Sequence, residues 1–329
     1  MNKSYLNFRT DMADERVDTY KRVHNLSEID GIKVDSKVNG KINTTVVDVL
    51  NDNGKNAVGK EIGKYITIEI QDVEYLEETE KENLINELSN NIELLINGLF
   101  NLQNENKSIL IVGLGNEYVT PDSLGPKVVS YVDITRHLLK YAKEYMNPGT
   151  REISSISPGV LGTTGIETAE MISAIANKIF PDLIIVIDSL ASMSVSRVGK
   201  TIQLSNTGIT PGAGVGNKRE VLDKDSLGVP VIAIGVPTVV DMATITNEAI
   251  DKLTENLKNE ATSYMNHGID VIKVKEVFEL FEKDNRYTMI ANALNTENYI
   301  VTPKEIDNVI AKISEIIASG INTALRPEE

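Results

Sequence analysis

An α/β fold, three-layer α/β/α with a central, mostly parallel sheet, is what this chain predicts. Three continuous apolar runs carry the prediction: "SILIVGLG", "PDLIIVIDSLA" and "VPVIAIGVPT", separated by helical stretches. Central parallel strands read this way because helices cover both of their faces. The alternation spans about residues 60 to 260. At 329 residues the chain can bury one large core or two unequal ones, so size alone leaves the domain count open.

In chain order, residues 1 to 30 are polar, and "RTDMADERVD" has helix-compatible composition with little to bury, so this segment reads as an appendage. From 31 to 75 the pattern is strand-like. Asn39-Gly40 lies between alternating segments, a strong hairpin signal, and "YITIEI" puts Ile66, Ile68 and Ile70 on one face. A smaller antiparallel β element near the N-terminus follows from this. Next, Leu84, Leu88, Ile92, Leu95, Ile96 and Leu99 recur at three- and four-residue spacings, with acidic residues near the start, where the helix dipole favours them. That is an amphipathic helix feeding the first apolar run. After the third run come C-terminal helices: one over "VFELFEKDNRY", an irregular link, and a long helix from about Lys304 with Ile306, Ile310, Ile313 and Ile317 on one face.

Composition removes several function classes. Acidic residues number 48 against 33 Lys plus Arg, a formal charge of −15, and no basic run offers a phosphate-binding stripe, so direct nucleic-acid binding is not expected. With no cysteine there is no disulfide framework, thiolate nucleophile or Cys-type zinc site. No apolar signal core opens the chain, and no run reaches the roughly 18 apolar residues of a membrane helix, so a soluble cytoplasmic protein is expected.

Short motifs fail on inspection. "GKNAVGKE" has phosphate-loop spacing, but Glu61 stands where Ser or Thr would bind magnesium, and the strand-like "YITIEI" follows where a helix N-terminus is needed, so a surface turn is expected. In "GLGNEY", Tyr118 replaces the third glycine of a dinucleotide fingerprint. There is no G-x-S-x-G elbow and no H-E-x-x-H helix, and His24, His137 and His267 are far apart in sequence.

What remains is carboxylate chemistry at strand ends. In doubly wound sheets, ligands gather beyond the carboxyl ends of the strands. Asp122 follows the strand ending near Val112 by a loop, and Asp188 ends "LIIVI". If the two meet, like charge at short range raises one pKa, so that one acid holds a proton while the other activates water. The competing reading makes Asp122 the N-cap of the helix in "SLGPKVVSYV" and Asp188-Ser189 a strand-ending turn. Two glycine-rich loops, "SPGVLGTTGIET" with Gly159, Gly162 and Thr163, and "SNTGITPGAGVGNKRE" with Gly212 and Gly214, offer exposed backbone N–H groups for a peptide carbonyl, or are simply flexible.

"GLGNEYVTPDSLGPKVV", "SPGVLGTTGIET", "IDSLASMSVSRVGKTIQLSNTGITPGAGVGNKR" and "IGVPTVVDMAT" resemble the germination protease family, and the similarity runs over nearly the whole chain. The resemblance implies a spore endopeptidase that degrades small acid-soluble spore proteins, with an α/β fold related to hydrogenase maturation endopeptidases. It puts the family's invariant-type aspartates on Asp122 and Asp188, which strengthens the paired-carboxylate reading, and no cofactor is expected, although the relatives' use of acids to contact a metal leaves metal at the acidic site open. It also implies a zymogen, a homotetramer, and a place in the forespore and spore core. Family substrates are cut after an acid followed by an apolar residue and Ala. Asp11-Met12-Ala13, with Glu15 beyond, has that arrangement, so self-cleavage between Asp11 and Met12 is expected, dividing a propeptide (1–11) from a single peptidase domain (12–329). Two alternatives stay open: a metal-recognising maturation endopeptidase on the same scaffold, and a non-catalytic α/β module for a small anionic ligand.

Overall fold

The computed structural model describes residues 10–71, 73–100, 107–212, 220–266, 289, 290, 293 and 299–326. The first helix, α1 (Ala13–His24), precedes a hairpin of β1 (Ile32–Asn39) and β2 (Ile42–Val49). Its loop is Gly40-Lys41, one position later than the Asn39-Gly40 pair. Asn39 still pairs with Ile42 across the ladder, and Gly40 supplies the positive φ, +61°, at the first loop position. The phosphate-loop lookalike is a short helix, α2 (Asp52–Val58), rather than a turn. Asn51 caps it by accepting from the Gly54 N–H at 3.1 Å, and Gly59 ends it at φ +67°. Then comes β3 (Gly63–Ile70), antiparallel to β2.

The predicted amphipathic helix is α3 (Glu78–Asn97), with Leu84, Leu88, Ile92, Leu95 and Ile96 buried and Leu99 just past its end. The α/β body follows as β4 (Ser108–Gly113), α4 (Leu124–Tyr131), α5 (Arg136–Tyr141), β5 (Glu152–Ile156), α6 (Leu161–Thr164) and α7 (Thr168–Ile179). It continues through β6 (Leu183–Ala191), β7 (Thr201–Ser205), α8 (Lys224–Leu227), β8 (Val231–Asp241) and α9 (Met242–Asn266). A short β9 (Ile300–Val301) and α10 (Ile306–Ala324) complete the described elements, and the four predicted isoleucines of α10 are all buried. The helix expected over "VFELFEKDNRY" lies outside the described residues.

All strands join one sheet in the order β1-β2-β3-β7-β8-β6-β4-β5, with β9 on β8. The part made by β8, β6, β4 and β5 is parallel. The antiparallel N-terminal element is continuous with it, because β3 pairs with β7 and β7 with β8, both antiparallel. Helices cover both faces. On one, Ile66, Ile111, Ile185 and Ile234 pack against Leu88 of α3, Val128 of α4 and Ile317 of α10. On the other, Val112 and Val186 meet Ile172 of α7, and Val49 and Tyr65 meet Ala13 and Val17 of α1. Among the described residues no helix is long and apolar enough to cross a membrane.

The N-terminal stretch is no appendage. Thr10, Met12, Ala13, Asp14, Glu15, Val17 and Thr19 are buried. Two of its charges, Asp14 and Glu15, which composition alone assigns to solvent, turn inward, and Arg197 donates to Asp14 at 2.9 and 2.5 Å and also to Glu69. A bidentate guanidinium–carboxylate fork is the form of ion pair best suited to such burial.

Candidate active site

Asp188 of β6 pairs with Gly235 of β8, and Gly235 pairs with Gln203 of β7. These three residues form one row across neighbouring strands, so their side chains share a face of the sheet. The strand does not stop at Asp188: β6 runs on to Ala191 beside β8, whereas β4 on its other side ends with Gly113, opposite Ile187. The acid therefore sits one position past the carboxyl end of β4, still inside the β6–β8 ladder and buried.

Asp122 reaches the same region from the turn Thr120–Asp122 after β4. The fold-back depends on Gly115, whose φ is +112° and whose missing Cβ would lie 2.0 Å from the Asp122 carbonyl oxygen. Asp122 does not cap α4, since Ser123 takes that position and the Asp122 carboxylate accepts from the Asn116 N–H at 2.9 Å. Burial pushes the Asp122 carboxyl up, against that one bond. Asp188 is pushed well above the usual carboxylate range, chiefly by burial, then by the Asp122 and Asp11 carboxylates, against a bond from the Ser189 N–H. Both carboxyls are thus raised, Asp188 the more strongly.

Asp11 is the unexpected third acid of this site. Its N–H donates to the Ala191 carbonyl at 3.0 Å, and its carboxylate accepts from the Ala191 N–H at 2.9 Å. Its carbonyl oxygen accepts from Lys60 Nζ at 2.6 Å and from Gln203 Nε2 at 3.0 Å. Gln203 also accepts from the Ala13 N–H at 2.7 Å, Met12 is completely buried, and Glu15 accepts from the Met193 N–H at 2.8 Å and from the Thr10 hydroxyl. Residues 10–15 thus lie bonded across the sheet beside the two aspartates. A cavity of about 450 Å³ opens next to Thr10 and Asp11, lined also by Lys60, Leu190, Gln203, Thr210 and Gly235 among others.

The Asp188 carboxyl feels the charges of Asp122 and Asp11, and Met12, next to Asp11, is buried. Gly159, Gly162 and Thr163 lie in the exposed segment after β5, where the Thr163 hydroxyl donates to the Val160 carbonyl at 2.9 Å. That segment starts at the same end of the sheet as the Asp122 turn, because Ser157 Oγ donates to the Gly113 carbonyl at 3.3 Å. Gly212 follows cavity-lining Thr210 at φ +70°, and Gly214 lies outside the described residues. Sequence reasoning missed Lys60, Gln203 and Arg197. Among the described residues no group of three His, Cys, Asp or Glu side chains is arranged to hold a metal ion.

The model of the family described as germination protease matches residues 9–279. A germination protease of Clostridium perfringens (strain ATCC 13124) is 44% identical over 327 residues, covering 98% of this chain and 96% of the relative. One from Priestia megaterium is 37% identical over 359 residues, covering 100% and 96%. Among solved structures, the hydrogenase maturation protease HycI of Thermococcus kodakarensis KOD1 aligns with 42% of this chain and 78% of its own at 19% identity and a TM-score of 0.27, too slight a likeness to argue from. With a family model spanning most of its length and relatives matching it nearly end to end, this chain is a protease that belongs to the germination protease family.

Proposed function

We propose that this protease initiates breakdown of small acid-soluble spore proteins during germination, that it is made as a self-processing zymogen, and that its chemistry is of the aspartic type. One observation carries the reading: residues 10–15, which have the acid–apolar–Ala–x–acid arrangement of family substrates, are bonded across the sheet beside Asp188, whose carboxyl feels both Asp122 and Asp11. Asp122, ionised, takes a proton from the attacking water, and protonated Asp188 delivers one to the leaving amide nitrogen. Until the Asp11–Met12 bond is cut, the segment occupies the ground that a substrate needs. Gly159, Gly162, Thr163, Gly212 and Gly214 are its proposed substrate contacts. A homotetramer acting in the forespore and spore core belongs to the same reading.

Intact-mass analysis of activated protein tests the cleavage site, with Met12 expected as the new N-terminus and a terminus well downstream of Ala13 as the refuting result. A chain beginning at Met12 should digest a small acid-soluble spore protein at once, whereas a folded but inert truncation removes the occlusion argument. Asp122→Asn and Asp188→Asn should each abolish digestion with the circular-dichroism spectrum kept. Near-normal turnover by either variant sinks the dyad.

A further inference from the structure

The row Asp188, Gly235, Gln203 spans three adjacent strands, so its outer members are separated by two strand spacings, about 10 Å. Asp11 is tied to both outer strands, to β6 through Ala191, which pairs with Val239, and to β7 through Gln203, which pairs with Gly235, and so bridges across β8. Its carbonyl oxygen accepts from two donors, Lys60 Nζ at 2.6 Å and Gln203 Nε2 at 3.0 Å. Both touch the one atom on which negative charge appears when water adds to this carbonyl.

We infer that Lys60 and Gln203 are catalytic residues that stabilise the oxyanion of peptide hydrolysis, in the processing of residues 10–15 and in the cleavage of substrates alike. This rests on the Asp11–Met12 cleavage proposed above. In the step, a water oxygen bonds to the Asp11 carbonyl carbon, the water proton passes to the Asp122 carboxylate, and the carbonyl π pair moves onto the oxygen facing Lys60 and Gln203. The tetrahedral centre then collapses, the C–N bond breaks, and the Met12 nitrogen takes the Asp188 proton. Donors fixed on the oxygen in advance need no reorganisation as charge develops, and a desolvated site strengthens them. Burial lowers the pKa of the Lys60 amino group, while the Asp11 carboxylate counters that effect.

A mere anchoring role for Lys60 predicts weaker binding with unchanged chemistry, and kinetics in trans separates the two. Chains beginning at Met12 are assayed on a peptide copying residues 5–20, with Lys60→Met, Lys60→Arg and Gln203→Glu, the last keeping an acceptor for Ala13 and removing the donor. Expected for K60M is a kcat loss of about 100- to 1000-fold with KM changed less than about threefold, a smaller loss for K60R, and a kcat loss for Q203E. Ethylammonium added to Lys60→Ala should restore part of its kcat, which a purely structural lysine would not permit, and this arm stands even if K60M misfolds. A K60M kcat within about threefold of wild type, or a K60A variant indifferent to ethylammonium, overturns the assignment while leaving the cleavage reading intact. A wild-type chain that cuts the peptide elsewhere than after its aspartate at position 11 overturns that reading and this inference together.

Discussion

Arg197→Met tests what holds the N-terminal segment in place. Methionine keeps the aliphatic stem and removes the guanidinium, which donates to Asp14 through both Nη atoms and to Glu69, and whose Nη1 lies 3.5 Å from Glu15 Oε1. Side-chain exposure is 18% for Arg197 and 9% for both Asp14 and Glu15, so the substitution strands two neighbouring carboxylates in a poorly solvated place. An uncompensated buried charge costs about 3–5 kcal/mol, and the partial access of water to Arg197 puts the expectation at the low end, about 3 kcal/mol. Undocking of residues 10–19 caps the loss, because the freed acids rehydrate. Urea unfolding followed by circular dichroism measures the difference, and hydrogen exchange over residues 10–24 should localise it. Adding Asp14→Asn and Glu15→Gln to R197M should recover at least about 1 kcal/mol, since the stranded charges are then gone. A loss under about 1 kcal/mol for R197M, the range of an exposed pair, refutes the counter-ion argument.

Asp188→Asn should flatten part of the pH dependence of stability. Folded Asp188 keeps a proton that the unfolded chain releases, so wild-type stability falls as pH rises from the ordinary aspartate range toward the raised folded value. Thermal melts across that window should show a shallower fall for D188N, and identical slopes contradict a buried neutral acid. Met12→Ala removes a completely buried side chain and should cost about 2–5 kcal/mol in urea unfolding, with an effect under about 0.5 kcal/mol contradicting its burial. Gly115→Ala forces a Cβ to within 2.0 Å of the Asp122 carbonyl oxygen at φ +112°, so it should lower both melting temperature and kcat by displacing Asp122. Wild-type values for both would show that Asp122 is positioned by something else.

The sheet was legible because burial writes itself locally. The apolar runs that became β4, β6 and β8 are buried along nearly their whole lengths, and of the α10 isoleucines Ile313 and Ile317 pack with α3 and α4 while Ile306 and Ile310 pack with Val198 and Val240. The hairpin loop came out one residue late because Asn39 pairs as a strand residue and Gly40 alone supplies the positive φ. Joining of the hairpin to the main sheet was not legible, since it depends on β3 meeting β7, and "TIQLS" is too short to announce its partners.

That same strand explains why half the candidate site was hidden. In β7, Thr201, Gln203 and Ser205 alternate with Ile202 and Leu204, the pattern of a strand with one wet face. Every one of its residues is nevertheless buried, and Gln203, in the middle of its polar face, meets Asp11 and Ala13 of a segment nearly two hundred positions earlier. Lys60 was hidden by the same geometry: its neighbours spell a failed phosphate loop, while its amino group reaches back to the Asp11 carbonyl. Polar residues on both sides, each reading as solvent-exposed, satisfy one another's hydrogen bonds once they meet. Asp122 and Asp188 could be singled out as candidates because long motifs surround them. Gln203 and Lys60 became recognisable only when Asp11 and Ala13 were seen to meet them across the fold.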